Sequence, residues 1–204
     1  MKQTIAMMAA AFASLLFAGS VLAHHSGSMY QTTPIWIKGT VVGFEHVNPH
    51  TTITLEDRSG GQVRQWAVEG PGQSQLERMG IGMDFPRIGA VVEFCAFPYK
   101  STEELSRLFP GVDFANRRTA PQFVAGHVMV LQNGEKEFWE PHGVLSECIR
   151  SSTIQRQSWL DFINANARAR QGWCEQRQYA IVQSSPTLRD LVAEINRLIA
   201  YPCQ

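Results

Sequence analysis

Residues 35–72 read IWIKGTVVGFEHVNPHTTITLEDRSGGQVRQWAVEGPG, and this stretch decides the fold class. Runs of β-forming residues alternate here with Gly, Pro and Asn, as in short strands joined by tight connections. We predict strands over 35–46, 51–55 and 62–69. Gly39 and Gly43 lie inside the first strand, where glycines often mark bulges and barrel bends.

The strand pattern resumes further along the chain. A short helix over 73–79 is followed by strands over 91–97 and 126–131, and we place Val128 and Val130 on the inner face of the last strand. Three strands, a short helix and two strands is the order of an OB-type five-stranded barrel. The sequence therefore predicts a mainly β, OB-like barrel domain over 24–140, with a surface insertion at 98–125.

Residues 141–204 change to helical periodicity. Ser152 with Gln155 fits a capping box, which predicts a helix to about Ala169. Ser185 as cap and Pro186 as first helical residue begin a second helix with a regular apolar stripe. We expect the two helices to form an antiparallel hairpin packed against the barrel.

The four cysteines are Cys95, Cys148, Cys174 and Cys203. An even number in an exported chain suggests two disulfides, and four cysteines allow three pairings. In an antiparallel hairpin Cys148 and Cys203 lie at the same end, which favours a bond between them. That pairing leaves Cys174 for Cys95.

The first 23 residues have the pattern of a secretory signal peptide. Lys2 gives the positive start, an apolar run follows, and Val21-Leu22-Ala23 offers a small-residue cleavage site. The apolar run is short for a bilayer span and no second long run follows it. We therefore expect a periplasmic or secreted protein with no membrane span after cleavage.

Charge and motifs exclude several classes of function. The chain carries 18 basic and 18 acidic residues with no dense basic run, which is unlike a nucleic-acid-binding protein. It contains no Ser–His–Asp signature, no phosphate-binding glycine loop and no helical zinc-hydrolase pair. With these classes excluded, the sequence points to an exported protein without a recognised catalytic motif.

Cleavage after Ala23 would make His24 the first residue, with a free α-amine beside its imidazole. These two nitrogens can chelate a transition metal such as copper, and a third nitrogen completes the set. The third nitrogen could come from another histidine of the chain: His25, His46, His50, His127 or His142. The alternative is a frayed terminus that carries two histidines without a metal.

A second group of candidates surrounds the predicted turns. Asn48 and His50 flank Pro49 in a loop that borders the usual binding face of an OB barrel. His50 either contacts a ligand or metal or holds the turn by bonding a backbone carbonyl. Glu69 at a strand end could accept a bond from His50. Trp66 is either a core residue or a stacking platform for a ligand.

These residues resemble a family of exported proteins of Gram-negative bacteria to which no function is assigned. The resemblance covers 24–97, resumes near 126–134 and does not include the helical tail. The chain departs from the family pattern at His46, where a tryptophan is usual. The motifs that carry the resemblance are His24-His25-Ser26, Lys38-Gly39-Thr40-Val41, Asn48-Pro49-His50, Trp66 to Glu69-Gly70, Arg78-Met79-Gly80 and Gly89-Ala90-Val91. The resemblance implies export and a small β domain, and it makes His24, His25 and His50 the preferred site residues.

Taken together, the sequence predicts a binding or accessory module more than an enzyme. The first hypothesis for its ligand is a divalent metal such as copper, held by His24, His25 and His50 with His46 nearby. A metal-free module that binds a partner protein or small molecule through Trp66 and the turn after Glu69 is the alternative. A copper-dependent oxidase or oxygenase is a third hypothesis, and it requires an open coordination position on the metal.

Overall fold

The computed structural model of the chain describes residues 29–108, 110, 123–139, 145–175 and 185–200. The predicted signal segment, His24, His25, His142 and Cys203 lie outside the described residues. The described strands are β1 Ile35–Glu45, β2 Thr52–Asp57, β3 Arg64–Glu69, β4 Val91–Pro98, β5 Phe123–Leu131 and β6 Lys136–Phe138. The described helices are α1 Gln73–Arg78, α2 Thr102–Leu108, α3 Leu145–Ser151, α4 Arg156–Ala165, α5 Ala167–Glu175 and α6 Pro186–Leu198.

Strands β1 to β5 form a closed barrel of mixed strand direction. The strand order is β3-β2-β1-β4-β5, and a parallel pairing between β3 and β5 closes the barrel. The other four barrel pairings are antiparallel. The prediction of a mainly β, five-stranded barrel is confirmed. The short strand β6, which the sequence analysis missed, pairs with β5 outside the barrel.

The barrel closes because β1 serves two neighbours in turn. Its first half, Ile35–Thr40, pairs with β4, and its second half, Thr40–Glu45, pairs with β2. Gly39 lies at the changeover, where an added Cβ would lie 3.0 Å from the carbonyl oxygen of Glu56. The register then shifts between Val41 and Gly43, as in a bulge. The two glycines thus allow the bend that the sequence predicts.

Two apolar layers lie on opposite sides of β4 and β5. The barrel interior holds residues such as Ile53, Phe94 and Met129, and Leu76 of α1 packs against it. The other layer packs under the helices and includes Cys95, Phe97, Val128 and Val130. The prediction that Val128 and Val130 face the barrel interior is therefore wrong. Both faces of β5 are apolar because the helices cover its outer face.

The C-terminal part contains four described helices where we predicted two. The second predicted helix is present as α6, and the Ser185 hydroxyl caps it by accepting a bond from the Leu188 amide. The first predicted helix is divided into α4 and α5 at Asn166, whose side chain accepts a bond from the Ala169 amide. Helix α3 was not predicted. None of the helices in the described ranges is long and apolar enough to cross a membrane.

A disulfide between Cys95 of β4 and Cys148 of α3 joins the barrel to the helices. The predicted pairings of Cys148 with Cys203 and of Cys95 with Cys174 are therefore wrong. The physical reason is α3, which packs its buried face on the outer side of the barrel and brings Cys148 to Cys95. Cys174 is also in a disulfide.

Candidate functional site

The loop after β1 and the turn after β3 meet at one end of the barrel. Asn48 accepts hydrogen bonds from the backbone amide and hydroxyl of Ser74, at 3.3 and 3.1 Å. The carbonyl oxygen of Val47 accepts a bond from the Gln73 amide at 3.2 Å. Asn48 therefore satisfies donors at the start of α1, whose N-cap Gly72 has no side chain to do so. In the structure, Asn48, which the sequence suggested as a ligand contact, thus caps the start of α1.

Two glycines in the turn after β3 are required by space. A Cβ on Gly72 would lie 2.5 Å from the carbonyl oxygen of Pro49. A Cβ on Gly70 would enter the indole of Trp139, 2.6 Å from its Cε2 atom and closer still to Nε1. Neither glycine has a positive φ. The Glu-Gly-Pro-Gly segment thus has glycines because neighbouring backbone and Trp139 fill the places where side chains would go.

Three polar side chains meet beside this turn. The Tyr30 hydroxyl donates to Glu69 Oε1 at 2.8 Å. His50 Nδ1 lies 3.4 Å from the same oxygen and 3.3 Å from the carbonyl oxygen of Gly70. The structure thus brings together His50 and Glu69, which the sequence pointed out. It adds Tyr30, which the sequence analysis missed because it lies 39 residues away from Glu69 along the chain.

Burial and the neighbouring Glu69 carboxylate raise the pKa of Tyr30 far above its usual range. Tyr30 is therefore a hydrogen-bond donor at any physiological pH. Both acceptors near His50 lie at Nδ1, an arrangement that favours the tautomer with the proton on Nδ1. The His50 side chain is 32% exposed and that of Glu69 is 15% exposed. The imidazole is thus oriented by protein groups and reachable from solvent.

His46 lies in a different environment from His50. Its ring stacks on Phe44 with 3.7 Å between the ring centres. Its Nε2 atom is buried and has no hydrogen-bond partner in the described part of the chain. Within the described ranges, no three His, Cys, Asp or Glu residues form a group that could hold a metal ion.

His127 is the remaining described histidine among the predicted metal ligands. Its ring packs on Phe97 with 4.4 Å between the ring centres, on the side of β4 that faces the helices. Burial lowers the pKa of His127 to about 3. His127 therefore stays neutral at physiological pH, within the apolar layer under the helices.

Trp66 and Glu69 stand three positions apart on β3, so their side chains point to opposite faces of the strand. Trp66 packs in the barrel core with 9% of its surface exposed, and the Arg64 guanidinium lies 5.7 Å from its ring centre. The indole borders a cavity of about 380 Å³ whose walls include Trp36, Lys38 and Arg58. The expected core role of Trp66 is confirmed, and its edge also faces a separate cavity.

One comparison with known proteins gives a match. A family model described as a family of unknown function (DUF6152) matches residues 12–106. The matched segment contains the whole stretch 24–97 over which the sequence resembles such a family, and it includes β1 to β4 and both turns at the barrel end. No curated protein and no solved structure matches the chain.

Proposed function

We propose that the protein is an exported binding module whose site lies at the barrel end formed by Tyr30, His50 and Glu69. The carrying observation is the orientation of His50, whose Nδ1 faces Glu69 and the Gly70 carbonyl. A histidine that binds a metal through one nitrogen usually donates its other N–H to a carboxylate or a backbone carbonyl. In His50, Nδ1 would be the nitrogen that donates to protein acceptors and Nε2 the nitrogen that binds the metal.

The barrel itself fits the proposal as an OB-type barrel. The strand order, the parallel closing pair and the helix between β3 and β4 agree with this assignment. In OB barrels, the loop between the first two strands borders the binding face, and His50 lies in that loop. Export is supported by the signal-like sequence of residues 1–23 and by disulfides, which persist in oxidising compartments.

We further propose copper, or another divalent metal, as the ligand, held by His50 together with His24 and His25. His25 lies five residues before Tyr30, and Tyr30 is bonded to Glu69 beside His50. An extended segment of that length spans about 17 Å. The amine and imidazole of His24 could therefore reach His50 after cleavage, and His46 is the nearest further histidine in sequence.

The test is a titration of Cu(II) and Zn(II) into the mature protein, with its N-terminus at His24 verified by mass spectrometry. We expect micromolar or tighter copper binding and proton release. One extra glycine before His24 should abolish it, because the amine is displaced from the chelate. Glu69→Gln should weaken it by about 10-fold to 100-fold, as is usual when the carboxylate that orients a metal-binding histidine is lost. His127→Gln is the matched control and should bind normally.

Absence of binding at micromolar metal would reject the metal proposal, and normal binding by the glycine-extended protein would reject the terminal chelate. The second candidate is then a metal-free module for a small molecule or protein. The cavity beside Trp66 supports it, because aromatic, cationic and acidic side chains line it together, with Arg58 paired to Glu56. A copper oxidase or oxygenase would instead consume dioxygen when the metal-loaded protein is given a reductant.

A further inference from the structure

A lysine and a serine form a short hydrogen bond at the junction of the barrel and the helices. Lys136 Nζ of β6 lies 2.6 Å from Ser158 Oγ in the first turn of α4. The ammonium also lies 5.4 Å from the centre of the Trp159 ring and 3.4 Å from the carbonyl oxygen of Gly134. Among the described residues, Lys136 forms no ion pair with a carboxylate. The lysine is thus held mainly by a hydroxyl and an aromatic face.

This pair lines a groove of about 570 Å³ between α4 and the turn that joins β5 to β6. Helix α4 presents Ser158, Phe162 and Ala165 to the groove, at the spacing of one helical face. Phe85 and Leu131 form apolar parts of the opposite wall. The groove thus has an apolar patch formed by these side chains, while its other walls are polar and include Glu135, Asp161 and Asn166 beside the Ser158 hydroxyl and the Lys136 amine.

The surroundings of Lys136 act on its protonation in opposite directions. Burial lowers the pKa of Lys136, and Asp161 of α4 raises it by a smaller amount. Two further carboxylates border the groove on either side of Lys136 in sequence: Glu135 in the turn before β6 and Glu137 in β6. Glu137 is paired with Arg168 of α5, so its charge is largely compensated. The balance favours release of the Lys136 proton below the ordinary range for lysine.

We propose that Ser158 and Lys136 form a nucleophile and base pair that hydrolyses esters with a small apolar acyl group. A serine beside a neutral lysine is a known variant of the hydrolase nucleophile. This site lies apart from the barrel end and does not depend on metal binding there.

The chemical step is balanced without a cofactor. Neutral Lys136 takes the proton of the Ser158 hydroxyl as Oγ bonds to the acyl carbon. The ester C–O bond then breaks, and the Lys136 ammonium gives its proton to the leaving alkoxide. Water attacks the acyl-serine, its proton passes to Lys136, and Lys136 returns it to Ser158 as the acid leaves.

The position of Ser158 suits the charge that develops on the acyl oxygen. Helix α4 has ten residues, and its N-cap Gln155 makes no side-chain capping bond. The Ser158 amide already donates to the Gln155 carbonyl oxygen, so the stabilisation of a nearby oxyanion comes from the positive end of the α4 dipole and not from that amide. The apolar patch of Phe85, Leu131, Phe162 and Ala165 is small and bordered by charged residues, so esters of short aliphatic acids are the expected substrates.

The experiment uses the full mature chain, p-nitrophenyl butyrate as substrate and a fluorophosphonate as covalent probe. We expect hydrolysis above background, and a label that peptide mass spectrometry places on Ser158. Ser158→Ala should lose both. Ser106→Ala, at an exposed position of α2, should retain both. A protein with no turnover, or with the label on another residue, would overturn the proposal.

Lys136→Arg separates catalysis from structure. Arginine keeps the charge, the contact with Trp159 and a donor toward Ser158, but it does not deprotonate. We expect turnover to fall by about 100-fold or more, the usual contribution of a general base. In the unmodified chain the rate should rise with pH, with a midpoint below about 10.4, the ordinary pKa of lysine. Turnover by Lys136→Arg equal to that of the parent would refute the base role.

Discussion

Replacement of Gly70 by alanine tests whether Trp139 fixes the turn that carries Glu69 and faces His50. The new methyl group would lie 2.6 Å from Trp139 Cε2, inside the 3.0 Å that real Cβ atoms keep from other atoms. Trp139 is fully buried and its ring also contacts Phe44 and Phe94, so the rigid indole has no free space to occupy. The substitution therefore forces the turn and the ring apart.

The expected loss of stability follows from where the new methyl group clashes. An extra methyl group in a packed core lowers the free energy of unfolding by about 1–3 kcal/mol. Because its neighbour is rigid and fully buried, Gly70→Ala should lie at the upper end, about 3 kcal/mol. The control is Gly60→Ala, where nothing lies within 4 Å of the added methyl and φ is not positive. We expect the control to stay within about 0.5 kcal/mol of the parent protein.

The assay is urea unfolding of the oxidised protein, followed by tryptophan fluorescence and far-ultraviolet circular dichroism. A loss of about 3 kcal/mol corresponds to a midpoint shift of about 1–3 M urea for a protein of this size. Trp139→Leu makes room for the methyl, so Gly70→Ala should cost less in that background. Equal midpoints for the alanine variants at 60 and 70, or an equal cost in both backgrounds, would refute the packing argument.

Two further perturbations test the region between the barrel and the helices. Replacing Cys95 and Cys148 by alanine removes a crosslink across 53 residues, and loop-closure entropy predicts a loss of about 4 kcal/mol in unfolding free energy; an unchanged urea midpoint would contradict this. Burial lowers the pKa of His127 to about 3, so the folded protein leaves this ring neutral where the unfolded chain protonates it, below about pH 6.5. The contribution of His127 to the unfolding free energy should therefore be fully present above about pH 6.5. Below that pH it should fall by about 1.4 kcal/mol per pH unit. His127→Gln should flatten this dependence in midpoints measured from pH 7 to pH 4, and an unchanged slope would contradict the assignment.

The first half of the barrel could be predicted because its local signals agree. Alternating residues, the Asn48-Pro49 turn and the glycines of β1 predict three short strands with a bend in the first, and the structure has β1, β2 and β3 with a register shift between Val41 and Gly43. The contacts of His50 with Glu69 and with a backbone carbonyl could also be anticipated from the sequence. These residues lie at turns whose ends the strand register brings together.

The inner face of β5 could not be assigned because local patterns do not show what covers a strand. Val128 and Val130 alternate with Met129, and both sets are apolar and buried. Helix α3 was missed for a related reason. The five consecutive residues from Leu145 to Ile149 are all buried although Ser146 and Glu147 are polar, so the polar and apolar residues of this short helix do not follow a helical period. That omission led directly to the wrong disulfide pairing.

The remaining side chains of the two proposed sites were beyond sequence reasoning because only the fold brings them together. Tyr30 lies in the segment before β1 and reaches Glu69 through its bridge to Tyr99 beside β4. Lys136 and Ser158 are separated by 22 residues and belong to different layers. No local motif links either pair. Their geometry therefore adds information that no pattern within one element contains.

The segment matched by the family model does not contain all the strands of the barrel. Residues 12–106 include β1 to β4, whereas β5, which pairs with both β3 and β4, begins at Phe123. Without β5 those two strands would both be open edges, which attract pairing with other chains. Trp139 also lies beyond the matched segment and fills the space that Gly70 leaves. The turn that faces His50 thus depends on residues outside the family pattern, and the unit that must be kept intact in any binding experiment extends at least to Trp139.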